Sequence, residues 1–100
     1  MFMTTSETLQ EQVNKIAQEM APEVVRIRCQ LGRDWSDDPD VYFRVVLSDE
    51  AASRERLAVV TEHVRERLYR DLALDKEERI PYFRFRSLSE QTETGEAAWN

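Results

Sequence analysis

The chain has 100 residues, 41% of them hydrophobic and only two glycines, which is enough for one modest core and too little for two domains. A formal net charge of −6 argues against non-specific coating of DNA and against attraction to an anionic membrane. The lone cysteine, Cys29, excludes an internal disulfide and fits a reducing compartment.

No apolar run approaches the ~20 residues of a membrane span, and Met1–Glu11 lacks the basic start and apolar stretch of a secretory signal. The expectation is a cytoplasmic protein with no membrane partner. Its 14 basic residues comprise 12 arginines and two lysines. Arginine offers a planar fork to carboxylates and phosphates and stacks on aromatic rings, although a GC-rich genome would give the same bias.

Met1–Thr5 are expected to fray. Leu9, Val13, Ile16 and Met20 then recur at helical spacing, with Thr8 and Glu11 at capping-box spacing and Ser6 as a second possible cap. Pro22 should end this helix. Val24–Leu31 alternates Val25, Ile27, Cys29 and Leu31 against Val24, Arg26, Arg28 and Gln30, the pattern of a strand with one buried face. Gly32–Asp40 reads as a loop. Val41–Leu47 alternates Val41, Phe43, Val45 and Leu47 against Tyr42, Arg44 and Val46, so the two strands should form an antiparallel hairpin.

Ser48 is a good cap for a long helix reaching about Leu72, with Asp49 and Glu50 complementing its positive end. Leu57, Val60, Thr61, Val64, Leu68 and Leu72 share its apolar stripe, and Glu66–Arg70 forms a pair four apart on the far side. Asp75–Arg79 is a charged loop. Pro81 can open a third strand, Ile80–Ser89, in which Phe83 and Phe85 face one way and Tyr82, Arg84 and Arg86 the other. From Glu90 to Asn100 the composition suggests a flexible acidic tail, with Trp99 its one bulky residue.

The expected fold is α+β, a single domain over residues 1–89 with element order αββαβ. It resembles half of a ferredoxin-like sheet: three mainly antiparallel strands under two helices on one face. The third strand would run parallel to the second and lie beside the first. Phe43, Phe83 and Phe85, at ~1.5–3 kcal/mol each, would be the main stabilising contribution.

The opposite face is then the candidate site: Arg26, Arg28, Arg44, Arg84 and Arg86 with Tyr42 and Tyr82, extended by Trp35. Interleaved arginine and aromatic residues suit a protein interface, where an acidic partner satisfies the forks, or a single-stranded RNA, whose bases stack on rings. They also suit a solvated face with local ion pairs. The glycine-aromatic signature of RRM domains is absent. Trp35 either tucks over the core edge or anchors a partner.

Other chemistry is thinly represented. Asp34, Ser36, Asp38 and Asp40 place oxygens at alternate positions as a calcium loop does, but the central glycine is missing and Val45 stands where the closing glutamate belongs. A solvated turn capped by an Asx side chain is the ordinary alternative. His63 falls on the polar side of its helix and Cys29 on the inward side of its strand, with no ligand set or nucleophile–base pair around either. No phosphate-binding glycine loop, triad order or zinc spacing is present, so neither a cofactor nor an enzyme is expected.

The segments DWSDDPD running into VYFRVVLSDE, followed by IPYFRFRSLSEQ, resemble a group of small bacterial proteins with no known activity. The resemblance spans Val24–Gln91 and implies no residue roles. The functional expectation is a small non-enzymatic, protein-binding regulatory protein of antitoxin-like or immunity type. RNA binding through the same face, or homodimerisation through it, are the alternatives.

Overall fold

A computed structural model describes residues 6–76 and 79–100. Helix α1 (Ser6–Glu19) precedes the strands β1 (Val24–Arg33) and β2 (Pro39–Leu47), then helix α2 (Leu57–Asp71), strand β3 (Ile80–Ser87) and a short helix α3 (Leu88–Thr94). One-turn 3-10 segments lie at Leu74–Lys76 and Ala97–Trp99. The expected fraying of Met1–Thr5 falls outside the described residues.

Helix α1 is already helical at Ser6, so Thr8 lies inside it and the Thr8–Glu11 spacing does not mark its start. Its Leu9, Val13, Ile16 and Ala17 are buried against the sheet. The helix stops three residues before Pro22, and a turn through Ala21 delivers the chain to β1.

The β1–β2 hairpin is antiparallel and more regular than its composition suggests, because Gly32 and Arg33 pair with Asp40 and Pro39 and only Asp34–Asp38 remain as loop. Gly32 fits closely there: a Cβ on it would meet the Asp40 carboxylate oxygen at 3.3 Å, which that side chain would have to shift to admit. The alternation read for β1 fails at its first two residues. A register shift between Val24 and Arg26 turns Val24 into the core and leaves Val25 38% exposed.

The sheet order is β1-β2-β3, with β3 parallel to β2. The third strand therefore lies beside the second, not the first, and the sheet is mixed with one antiparallel and one parallel pair. Alternation assigns faces but not neighbours. The first strand's outer edge is occupied instead by Gln10 of α1, whose amide donates to the Ile27 carbonyl at 2.7 Å and accepts from the Cys29 N–H at 3.0 Å. One side chain thus satisfies a donor and an acceptor that a fourth strand would otherwise pair.

Helix α2 starts at Leu57, nine residues after Ser48, and its N-cap Arg56 makes no side-chain cap. Ser48 Oγ accepts from the Ala51 N–H at 3.1 Å and so closes a local turn. Leu57 is exposed, while Val60, Thr61, Val64 and Leu68 are buried. Arg70 pairs with Asp71 at 3.2 Å rather than with Glu66.

Both helices cover the Ile27/Phe43/Val45 face. Phe43 is fully buried and stacks on Phe83 with centroids 5.2 Å apart. Phe83 and Phe85 are only half-buried, their rings approached by the Arg65 guanidinium at 6.0 and 5.2 Å. The core is therefore centred on β2, the middle strand, and thins toward β3.

Candidate functional site

Strand register turns the polar face into three rows running across the sheet: Gln30–Tyr42–Tyr82, Arg28–Arg44–Arg84 and Arg26–Val46–Arg86. The arginines from separate parts of the chain do share one face, opposite the phenylalanines. Like charges directly opposite on neighbouring strands repel, so the middle row is tolerable only if each guanidinium finds a partner.

Those partners divide the face in two. On one half the residues expected as a loose tail fold down. Ser87 caps α3 in a full capping box with Glu90, and Gly95 ends it in a left-handed conformation at φ 64°. Asp49 accepts from the Ser89 N–H at 2.9 Å and from its hydroxyl, and these bonds hold the Asp49 carboxyl below its usual range. The chain then returns so that the Ala97–Trp99 turn packs on β1 and β2, with Trp99 only 4% exposed. Arg26 Nε donates to the Trp99 carbonyl at 2.8 Å and Arg28 Nε to the Asn100 carbonyl. Arg86 lies over the Trp99 ring and donates to Gln91 at 3.0 Å, to Thr94 at 3.1 Å and to Glu96. Buried Gln91 ties the segment together through the Glu96 carbonyl and Asn100. Val46, expected on the polar side of its strand, is fully buried there. Arg26, Arg28 and Arg86 are thus engaged by the protein's own C-terminal segment, with Arg26 and Arg86 half-buried beneath it and Arg28 exposed at its margin.

The other half stays open. Tyr42 and Tyr82 stack with centroids 6.2 Å apart, and Arg44 lies 4.6 Å over Tyr42. Arg44 also donates to the Gln30 side chain at 3.1 Å, and Arg84 to the Tyr42 hydroxyl at 3.3 Å. Neither guanidinium has a carboxylate partner among the described residues. Trp35 projects from the hairpin tip with 95% of its surface exposed, so it does not tuck over the core.

The tip that carries Trp35 is held by Asp34. Its Oδ1 accepts from the Ser36 and Asp38 N–H groups at 2.9 and 3.1 Å, and its Oδ2 accepts from the Tyr82 hydroxyl at 3.1 Å. Desolvation first, then this bond and the negative charges of Asp34, Asp40 and Asp38, push the Tyr82 phenol above its ordinary value. The acidic loop is therefore a capped turn. Among the described residues no group of three or more acids, histidines or cysteines converges to hold a metal ion.

His63 is exposed on α2. Cys29 is half-buried, and burial, opposed by the nearby Arg28 charge, pushes its thiol up to about 11. Sequence reasoning missed Gln10, Arg65, Gln91 and the cover itself. A signal for the last was present: Ser87 and Glu90 stand at capping-box spacing and Gly95 marks a helix end.

No protein-family model, no curated protein and no solved structure matches this chain. No helix among the described residues is long and apolar enough to cross a membrane.

Proposed function

We propose that this is a small, non-enzymatic, cytoplasmic protein that acts by binding another protein, as an antitoxin-like, immunity or regulatory subunit. Its docking surface is the open half of the polar face: Trp35, Tyr42, Arg44, Tyr82 and Arg84. The observation that carries this reading is the exposed Trp35, on a hairpin tip whose Asp34 is bonded to Tyr82, together with two guanidinium groups on the same sheet that have no carboxylate partner among the described residues. Tryptophan and arginine supply much of the binding energy at protein interfaces, and a carboxylate brought to Arg44 or Arg84 would meet a fork bonded so far only to neutral groups.

The test is cross-linking affinity capture with the wild type, Trp35→Ala and an Arg44→Ala/Arg84→Ala double variant. A partner held by the wild type and lost from both variants supports the proposal. The same captured set for all three proteins contradicts it.

Single-stranded RNA binding is the second reading, favoured by the stacked Tyr42 and Tyr82 rings flanked by arginine. Arg44 already occupies one face of Tyr42, which makes a base a poorer occupant than a carboxylate. Fluorescence anisotropy with a single-stranded RNA at two salt concentrations separates the readings, since phosphate contacts weaken steeply with salt.

A further inference from the structure

The two edges of the sheet are treated differently. The β1 edge is closed by Gln10, but no described residue pairs with the outer edge of β3. Beneath that edge the core is incomplete. Two clefts, of about 740 and 510 Å³, run between α2 and β3 and share Phe83 and Arg65 in their walls. A strand added to β3 would satisfy its free backbone groups and cover Phe83 and Phe85, which now have a guanidinium as cover.

We infer that the occupant is a second copy of this chain, with β3 pairing antiparallel to the partner's β3 about a two-fold axis at Phe83. The argument is self-complementarity. Antiparallel pairs must share a face, so the symmetric registers are centred on a residue. A centre at Arg84 opposes Arg84 to itself, and a centre at Phe85 opposes Arg84 to Arg86. A centre at Tyr82 leaves Phe85 against Arg79. Only the centre at Phe83 places Phe83 against the partner's Phe83, Phe85 against the partner's Pro81 and Tyr82 against the partner's Arg84.

The last pairing repeats the arginine-on-tyrosine contact that Arg44 already makes with Tyr42 inside each chain. Pro81, which has no N–H, falls toward the end of the paired segment, where a missing ladder bond is tolerated. The result is a six-stranded sheet whose outer face joins two Tyr82/Arg84 patches across the axis. The dimer so deepens the docking proposal, on which this part of the inference rests, by making its surface bivalent.

Sedimentation of the isolated protein over a wide concentration range, with wild type, Tyr82→Lys and Tyr82→Glu, tests the inference. Lysine can pair with Asp34 of its own chain where glutamate is repelled by it, so both variants are repeated in an Asp34→Asn background, where the remaining difference reports the charge opposite. Wild type is expected to dimerise with hydrogen exchange slowed in Phe83–Phe85. Lysine facing the partner's Arg84 should weaken the dimer by about tenfold, and glutamate should tighten it. A wild type that stays monomeric at every concentration, variants that shift alike, or protection outside β3 would overturn it. No other protein is present, so failure here is separate from failure of the capture experiment.

Discussion

The guanidinium carbon of Arg86 lies 4.3 Å from the centre of the Trp99 ring, and this contact closes half of the polar face. The Trp99 backbone oxygen accepts from Arg26, so this one residue binds an arginine from each outer strand. Trp99→Ala is expected to cost about 3 kcal/mol, as for other buried aromatic truncations. It should also make Arg26 more accessible. Urea denaturation measures the loss, and a Trp35→Phe background leaves Trp99 fluorescence as the only indole signal in the parent.

Gln10 should matter more than a half-exposed polar side chain usually does. Gln10→Ala removes both bonds to the β1 edge and is expected to cost about 1–2 kcal/mol. It also leaves a strand edge unpaired, so aggregation in light scattering should rise with it. Gln10→Glu keeps the acceptor for Cys29 N–H but loses the donor to Ile27, and should fall between the two.

The hairpin tip depends on Asp34. Asp34→Ala removes the side-chain acceptor of two backbone N–H groups and should destabilise by about 1 kcal/mol. The same change removes a hydrogen bond and a negative charge from Tyr82, so the Tyr82 phenol should titrate at lower pH than in the wild type. Ultraviolet difference absorbance against a Tyr82→Phe control reads this directly.

Cys29 predicts a pH dependence. Its thiol is pushed from 9.0 to about 11 in the folded protein, mainly by burial. The folded state therefore holds the proton longer than the unfolded chain, so stability should fall as pH rises from about 9 toward 11. Below that window the thiol contributes no pH dependence. The Cys29→Ser variant should show a shallower decline in denaturant midpoint, and thiol-directed reagents should react slowly with the native protein near neutral pH.

Much of the arrangement was legible in residue order. The alternation in β2 and β3 sorted Phe43, Phe83 and Phe85 from Tyr42, Arg44, Tyr82 and Arg84, and the apolar stripes of α1 and α2 implied helices on the phenylalanine side. These inferences are local: a side chain's direction follows from backbone geometry within a few residues. The placement of β3 beside β2, the shift at Val25 and the late start of α2 did not follow, because each is a competition between distant groups for the same backbone edge or the same core volume.

The polar face shows the difference most clearly. That the arginines within each strand share a side follows from strand parity; that all three sets share one face needs the strands to lie in one sheet. That Arg26, Arg28 and Arg86 would be bonded by one later segment while Arg44 and Arg84 are not depends on Leu88–Asn100 reaching back across the sheet. Such a segment has too little apolar bulk to announce its own burial, and Trp99 becomes a buried residue only where Arg26 and Arg86 are waiting for it.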